Sequence, residues 1–293
     1  MEKRVLFRSA WLPWVLIAPQ MAVVLVFFFW PASQAIVQSL QTEDAFGTST
    51  VWVGLDNFVT LFEDEAYLQS FKVTALFSAL VAGVGIAVSL VLAVFADRIL
   101  RGSLVYKTFL IIPYAVAPAV AGVLWVFMFS PSIGIVAYGL HALGYDWNHL
   151  LNSGQALTLI VVAAVWKQVS YNFLFFLAGL QSIPKALIEA AAIDGAGPVR
   201  RFLSIQLPLL SPTTFFLLVI NVVYAFFDTF AIVHATTEGG PGRDTSILVY
   251  KVWHDGFKAL DLGGSAAQSV VLMAIVVVLT VIQFRYVEKK VNY

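Results

Sequence analysis

The stretch LIEAAAIDGAGPVRRF, Leu187–Phe202, places Glu189, Asp194, Arg200 and Arg201 between two long apolar runs. Pro184, the alanines, Leu187 and Glu189 favour a short helix over 184–194. Gly195 then supplies a permissive backbone for a turn. Pro198 opens a second short helix in PVRRFLSIQ, and Pro208 marks entry into the next apolar run. Glu189 and Asp194 stand five apart and share no helical face, so they are no catalytic pair. The segment reads as a rigid elbow joining two membrane-length elements. Composition alone leaves two uses for it open: an amphipathic loop on the membrane surface, with Arg200 and Arg201 beside Phe202, or a docking surface for another protein.

Apolar residues make up 60% of the chain and charged residues 12%, with mean hydropathy +0.87. A soluble domain carries about 25% charge. Runs near 12–34, 72–96, 105–129, 156–180, 208–232 and 265–287 suit about 20 residues per crossing. No strand period appears in them, so the fold class is all-α integral membrane protein: six transmembrane helices in a single domain over 1–293. Net charge is zero, which gives no electrostatic reason to bind nucleic acid. There are no cysteines, hence no disulfide or thiolate metal site.

Lysine and arginine set the orientation. With the N-terminus inside, inner segments hold Lys3, Arg4, Arg8, Arg98, Arg101, Lys107, Lys185, Arg200, Arg201, Arg285, Lys289 and Lys290. Outer loops hold mainly acids, from Glu43 to Glu65 and at Asp146. Both termini and the 184–207 segment are therefore expected in the cytoplasm. The N-terminal apolar run exceeds the 7–15 residues or so of a signal peptide. The outer segment 35–71 has aromatics suited to a short interfacial helix.

Several chemistries are missing. No G-x-x-x-x-G-K-S/T loop cradles nucleotide phosphates, and no H-E-x-x-H occurs. His141, His149, His234 and His254 are scattered and make no metal site. No nucleophile elbow or clustered carboxylates suggest a membrane enzyme. An ion-coupled secondary transporter would carry inverted repeats and broken midplane helices in both halves, and neither is evident. Pro113 and Pro118 in IIPYAVAPAVAG should kink the third span, as a packed bend or a moving hinge.

Ionisable groups inside a membrane are costly and face a cavity or a partner. Lys167 in the fourth span and Asp228 in the fifth stand out. Counted at 1.5 Å per residue, Lys167 and Asn221 stand roughly 20 Å above the inner end and Asp228 roughly 30 Å. These depths argue against a direct Lys167–Asp228 pair unless the helices tilt. Asn221, Tyr224 and Asp228 share one face, and Lys167, Ser170 and Tyr171 another. The two faces are candidates for lining a pathway. The alternative is packing against a partner, or satisfaction of a kinked backbone.

Glu189-Ala190-Ala191, then Gly195, then Ile205-Gln206-Leu207-Pro208 fill every position of E-A-A-x3-G-x9-I-x-L-P. This resembles the coupling loop of the importer permeases of ATP-binding-cassette transporters. VGLDNFVTLF, SPSIGIV and YNFLFFLAGLQSIPKALIEAAAIDGAG resemble the carbohydrate-uptake branch. Within it, LIIPYAVAPAVAGVLWVF, GYDWNHLLNSGQA and WKQVSYNFLFF are similar to A-type permeases of sn-glycerol-3-phosphate importers.

The resemblance implies the type I importer transmembrane fold in a bacterial inner membrane. It implies a non-enzymatic subunit forming half of an alternating-access pathway for sn-glycerol 3-phosphate, with its glycerophosphodiesters or a sugar as alternatives. The implied partners are a second permease subunit, an ATP-binding subunit dimer and a periplasmic binding protein. ATP and Mg would be held by the ATPase, leaving this chain without a cofactor. Glu189, Ala190, Ala191, Asp194, Gly195, Ile205, Leu207 and Pro208 would form the coupling surface.

Overall fold

The computed structural model describes residues 11–44, 48–98 and 103–287. Lys3, Arg4, Arg8, Arg101, Lys289 and Lys290, used above for orientation, lie outside them. Five helices have the length and hydropathy to cross a membrane: Leu12–Gln38, Glu65–Asp97, Ser153–Ser182, Ser211–Asp228 and Leu262–Arg285. A bent pair, Leu104–Ala115 with Pro118–Phe129, occupies the third expected run. We number these six spans in chain order.

Residue contacts fall into two compact units, Met1–Glu63 with Val252–Val271, and Asp64–Lys251 with Leu272–Tyr293. In the first unit, span 1 buries none of its side chains. A short antiparallel hairpin, Gln41–Glu43 with Thr50–Trp52, was not foreseen from sequence. The segment 35–71, where a short interfacial helix was expected, contains the helix Asp56–Glu63. The Asn57 amide fastens it to the hairpin by donating to the carbonyls of Ser39 (2.9 Å) and Gln41 (2.8 Å).

The second unit is built around span 4. Asn152 caps its start by accepting from the Gln155 N–H at 3.0 Å, satisfying one of the donors that a helix N-terminus leaves unpaired. Lipid tails are as apolar as leucine, so helix association in a membrane depends on close approach and interhelical hydrogen bonds. Both occur here. Gly85 and Ser89 of span 2 face span 4: the Ser89 hydroxyl donates to the Gly85 carbonyl of its own helix and also lies 3.2 Å from the Val169 carbonyl, while Asn172 of span 4 and Asn221 of span 5 bond to each other at 2.8 and 3.1 Å. Gly179 of span 4 leaves room for Leu210 and Thr213, whose atoms would lie 2.8 and 3.0 Å from an added Cβ. Phe173, Phe176, Leu177 and Leu180 pack there with Ala93, Ala96, Leu210 and Leu217.

Span 3 departs from the expectation of a kinked helix. Its two arms meet at 104°. Pro118 forces Ala117 out of the helical region, to φ −60° and ψ 140°. Pro118 also brings no N–H to continue the ladder. The second arm packs on Phe230–Thr236 because Gly122 permits it: an added Cβ would lie 2.9 Å from the Ala235 Cβ and 3.2 Å from the Ile232 carbonyl oxygen. Span 5 is likewise shorter than the expected 208–232. It ends in a π-helical turn, Tyr224–Asp228, before Thr229 and the helix Phe230–Thr236.

Beyond the start of span 4, Trp147 lies buried against Phe129, Ala137 and Leu159. Its indole N–H donates to the Phe129 carbonyl at 2.9 Å. Lys251, 8% exposed at its side chain, pairs with Asp64 at 3.1 Å.

Candidate functional site

The break in span 3 creates the site. A helix end leaves its last carbonyls without intrahelical partners. Here the Pro113 carbonyl accepts from the Val116 N–H at 3.2 Å. The Tyr114 and Val116 carbonyls accept from the Lys167 ammonium, at 3.0 and 2.8 Å. Lys167 sits halfway along the 30-residue span 4 and also lies 5.3 Å from the centre of the Tyr114 ring. That ring packs against Tyr171, centroids 5.8 Å apart. The mid-membrane charge therefore satisfies a broken backbone, the alternative that the sequence left open.

The same ammonium borders a cavity of about 520 Å³, lined by Tyr114, Pro118, Lys167, Tyr171, Tyr224 and Asp228 among others. Four of the six expected pathway residues are thus brought together: Lys167, Tyr171, Tyr224 and Asp228. The other two are not. Ser170 is fully buried and lines a separate apolar cavity of about 400 Å³ beside Trp125 and Trp166. Asn221 is fully buried and pairs with Asn172. Its amide donates to the Asn172 oxygen at 2.8 Å and to the Leu217 carbonyl at 2.7 Å, and accepts from the Asn172 amide at 3.1 Å.

The departure at Asn221, and the meeting of Lys167 with Asp228, have geometric reasons. The wider π-helical turn rotates Asp228 away from the face that Asn221 occupies. Counted from the observed ends at Ser182 and Ser211, Lys167 stands about 22 Å along its span and Asp228 about 26 Å. The assumed 10 Å difference in depth shrinks, and the two charges share one cavity. No ion pair within 4.0 Å joins them among the described residues. Tyr224 offers its ring, since its hydroxyl donates to the Ala164 carbonyl at 3.3 Å.

Tyr114 was missed as a site residue. Its signal was position, one residue after Pro113 at the start of the break. Asn172 was missed because nothing in its neighbourhood of span 4 marks a partner on span 5.

The elbow of 184–207 forms as its residues predict, with one change. The helix is Lys185–Ile193, and Pro184 is its N-cap rather than part of its first turn. Gly195 at φ +80° closes it: Ala196 N–H donates to the Ala191 carbonyl (2.9 Å) and Gly195 N–H to the Ala192 carbonyl (3.1 Å). Pro198–Arg201 then begins the second helix, which continues through a π-helical turn, Phe202–Gln206, to Leu207–Leu209. Glu189, Ala190, Asp194 and Gly195 are exposed, while Ala191, Ile205, Leu207 and Pro208 are half-buried at its base. Ile193 and Val199 stand 88% and 69% exposed at its tip.

Residues 79–293 match the family described as binding-protein-dependent transport system inner membrane component. The chain is 61% identical, over 98% of its length and 98% of the relative's, to the sn-glycerol-3-phosphate transport system permease protein UgpA of Yersinia pseudotuberculosis serotype I (strain IP32953). It is 59% identical to the protein of that name from Escherichia coli (strain UTI89 / UPEC), over 100% and 99% of the two chains. In fold it is similar to a chain of a bacterial ABC transporter involved in the import of the acidic polysaccharide alginate. The TM-score is 0.82 at 23% identity, covering 95% of this chain and 96% of that one. With a family match over most of its length and relatives named as transport permeases, this chain belongs to the inner membrane components of binding-protein-dependent transport systems.

Proposed function

We propose that this chain is a permease subunit of an ABC importer for sn-glycerol 3-phosphate. The observation that carries the reading is 61% identity, sustained over 98% of both chains, to a permease named for that substrate. Six spans provide half of a pathway, and a second permease subunit provides the other half. A periplasmic protein delivers the ligand, and the termini and the 184–207 elbow face the cytoplasm. There the exposed Glu189, Ile193 and Val199 dock on a separate ATPase dimer, which binds ATP and Mg. ATP-driven closure of that dimer moves the elbow, and the spans alternate their access.

The cavity at the break of span 3 lies on the pathway in this reading. It holds one cationic and one anionic side chain among aromatic walls. That mixture suits a small molecule with a charged end and a hydroxyl-bearing end better than a long neutral sugar chain, and its volume falls in the roughly 300–1,000 Å³ of small-molecule sites. The test is uptake of radiolabelled glycerol 3-phosphate by the assembled complex in vesicles, with free sugars as competitors. Saturable, ATP-dependent uptake that sugars do not inhibit is expected. Uptake of a sugar in its place would overturn the substrate.

A further inference from the structure

We propose that Lys167 is an exchangeable latch: the phosphate of an incoming phosphomonoester draws its ammonium off the Tyr114 and Val116 carbonyls, and this frees the break in span 3 to change its angle. The inference rests on the substrate reading above and adds a coupling between ligand and gate.

Three observations carry it. First, Lys167 is bound to backbone, not to a carboxylate. An ammonium has three donors, and the two carbonyls at 3.0 and 2.8 Å take two of them. The third has only the weaker attraction of the Tyr114 ring, 5.3 Å away, and can turn to a ligand in the cavity that Lys167 lines. Contact with an anion can therefore precede release of the carbonyls. Second, the exchange runs in the favourable direction. A charge-assisted bond between ammonium and phosphate is stronger than one between ammonium and a neutral carbonyl. Third, the carbonyls that Lys167 holds are those of the break. Tyr114 and Val116 flank the end of the first arm, and Ala117 is the extended residue after them. Withdrawing their donor removes the contact by which span 4 fixes the first arm at the break.

A permanent structural cap would not need a charge. A neutral amide could donate to both carbonyls, at a lower cost of burial than an ammonium within the membrane. Asp228 in the same cavity gives the exchange a way back and a selectivity. It can accept from a ligand hydroxyl while the phosphate engages Lys167. Once the ligand leaves, its negative charge disfavours retention of a second anion.

The experiment uses the full complex in nanodiscs with its binding protein and cysteine-free partner subunits. This chain has no cysteines of its own, so Val105→Cys and Val123→Cys place one spin label on each arm of span 3. Both positions are exposed in the isolated subunit. Pulsed electron resonance then reads the distance between the arms with glycerol 3-phosphate, inorganic phosphate or glycerol. Glycerol 3-phosphate should change the distribution and glycerol should not.

Lys167→Gln is the decisive variant, because its amide can still cap the carbonyls without carrying charge. It should lose the ligand-dependent change and raise the KM for uptake about tenfold or more, with assembly unchanged. Lys167→Arg should retain the change. A wild-type complex that does not transport glycerol 3-phosphate sinks the substrate reading and this inference with it. Transport with no change between the arms, or a Lys167→Gln complex with wild-type KM and wild-type arm movement, overturns the latch alone.

Discussion

Replacing Asn221 by leucine tests how spans 4 and 5 are held together. Leucine keeps the branch at Cγ and removes every polar atom. Asn221 makes two interhelical bonds with Asn172, at 2.8 and 3.1 Å, and one bond to its own helix at Leu217. Both amides are fully buried, and span 2 approaches them at Gly85, where an added Cβ would lie 3.5 Å from each.

Interhelical bonds in membranes average about 0.6 kcal/mol and reach about 1.7. An orphaned buried amide costs about 1–3 kcal/mol. The single Asn221→Leu change should therefore destabilise by about 1–3 kcal/mol, mostly through the stranded Asn172. Asn172→Leu should cost a similar amount. The double variant strands nothing, so its cost should fall short of the summed singles by about 1 kcal/mol, in the range expected for residues in contact. Reversible unfolding of the purified chain in mixed detergent–SDS micelles measures all three. If the double variant costs the sum of the singles within about 0.5 kcal/mol, the two amides are independent and the clasp is wrong.

Gly195→Asp should abolish ATP-driven uptake while the complex still inserts and assembles, because nothing lies within 4 Å of an added Cβ. The damage falls on the φ +80° turn and on the docking face, and normal uptake would refute it. Gly122→Ala should destabilise by about 1–3 kcal/mol through the Ala235 Cβ and the Ile232 carbonyl, whereas Gly139→Ala, with nothing within 4 Å, should not. Equal melting temperatures for the two variants would contradict this. Burial pushes the His149 imidazole below its ordinary pKa of 6.5, against the opposing influence of the Phe129 carbonyl. His149 is 3% exposed and, among the described residues, no group meets its ring nitrogens at hydrogen-bond geometry; the Phe129 carbonyl is near enough only to offset part of the burial effect. Because the folded pKa is the depressed one, the neutral form's contribution is present above about 6.5 and is lost as pH falls from there through the folded value. Corrected for the intrinsic slowing of amide exchange at lower pH, the segment 143–152 should therefore lose more protection between pH 7.5 and 5 in the wild type than in His149→Phe; identical protection profiles would contradict it.

Hydropathy was enough to find the spans, because a helix in lipid must carry its solubility in its own side chains. The elbow was legible for a related reason: Gly195 and Pro198 each act on the backbone beside them. The break in span 3 was legible only in part. Pro118 announces a disturbance, but its 104° angle depends on Gly122 meeting Ala235 and on Lys167 meeting Tyr114. The partners of Lys167 are carbonyls more than 50 positions away. A backbone carbonyl leaves no mark in a sequence, so a reading by side-chain chemistry looks for an anion in its place. The error at Asn221 had another source. A seven-residue spacing holds one face only while the helix stays α, and the π-helical turn at Tyr224–Asp228 breaks that count. The hairpin at Gln41–Trp52 was missed because three-residue strands are too short to show a period.

The polar residues within these spans divide into two kinds by what they satisfy. Asn172 and Asn221 use their groups on each other and on Leu217, at full burial, and gain nothing from a ligand. They belong to the fixed part of the bundle. Lys167 satisfies two carbonyls and still has a donor left over a cavity, and Asp228 borders that cavity with no ion-pair partner within 4.0 Å among the described residues. These are groups whose bonds are incomplete within the isolated subunit. Burial cost acts on both kinds, so a charge endures at such a depth only where something recurrently completes it. A second permease subunit can supply permanent partners, and a translocated anion can supply transient ones. The placement of Lys167 at the end of a broken helix favours the transient kind. A permanent partner would fix the break, and a fixed break would forgo the one joint in span 3 that needs no helix to unwind.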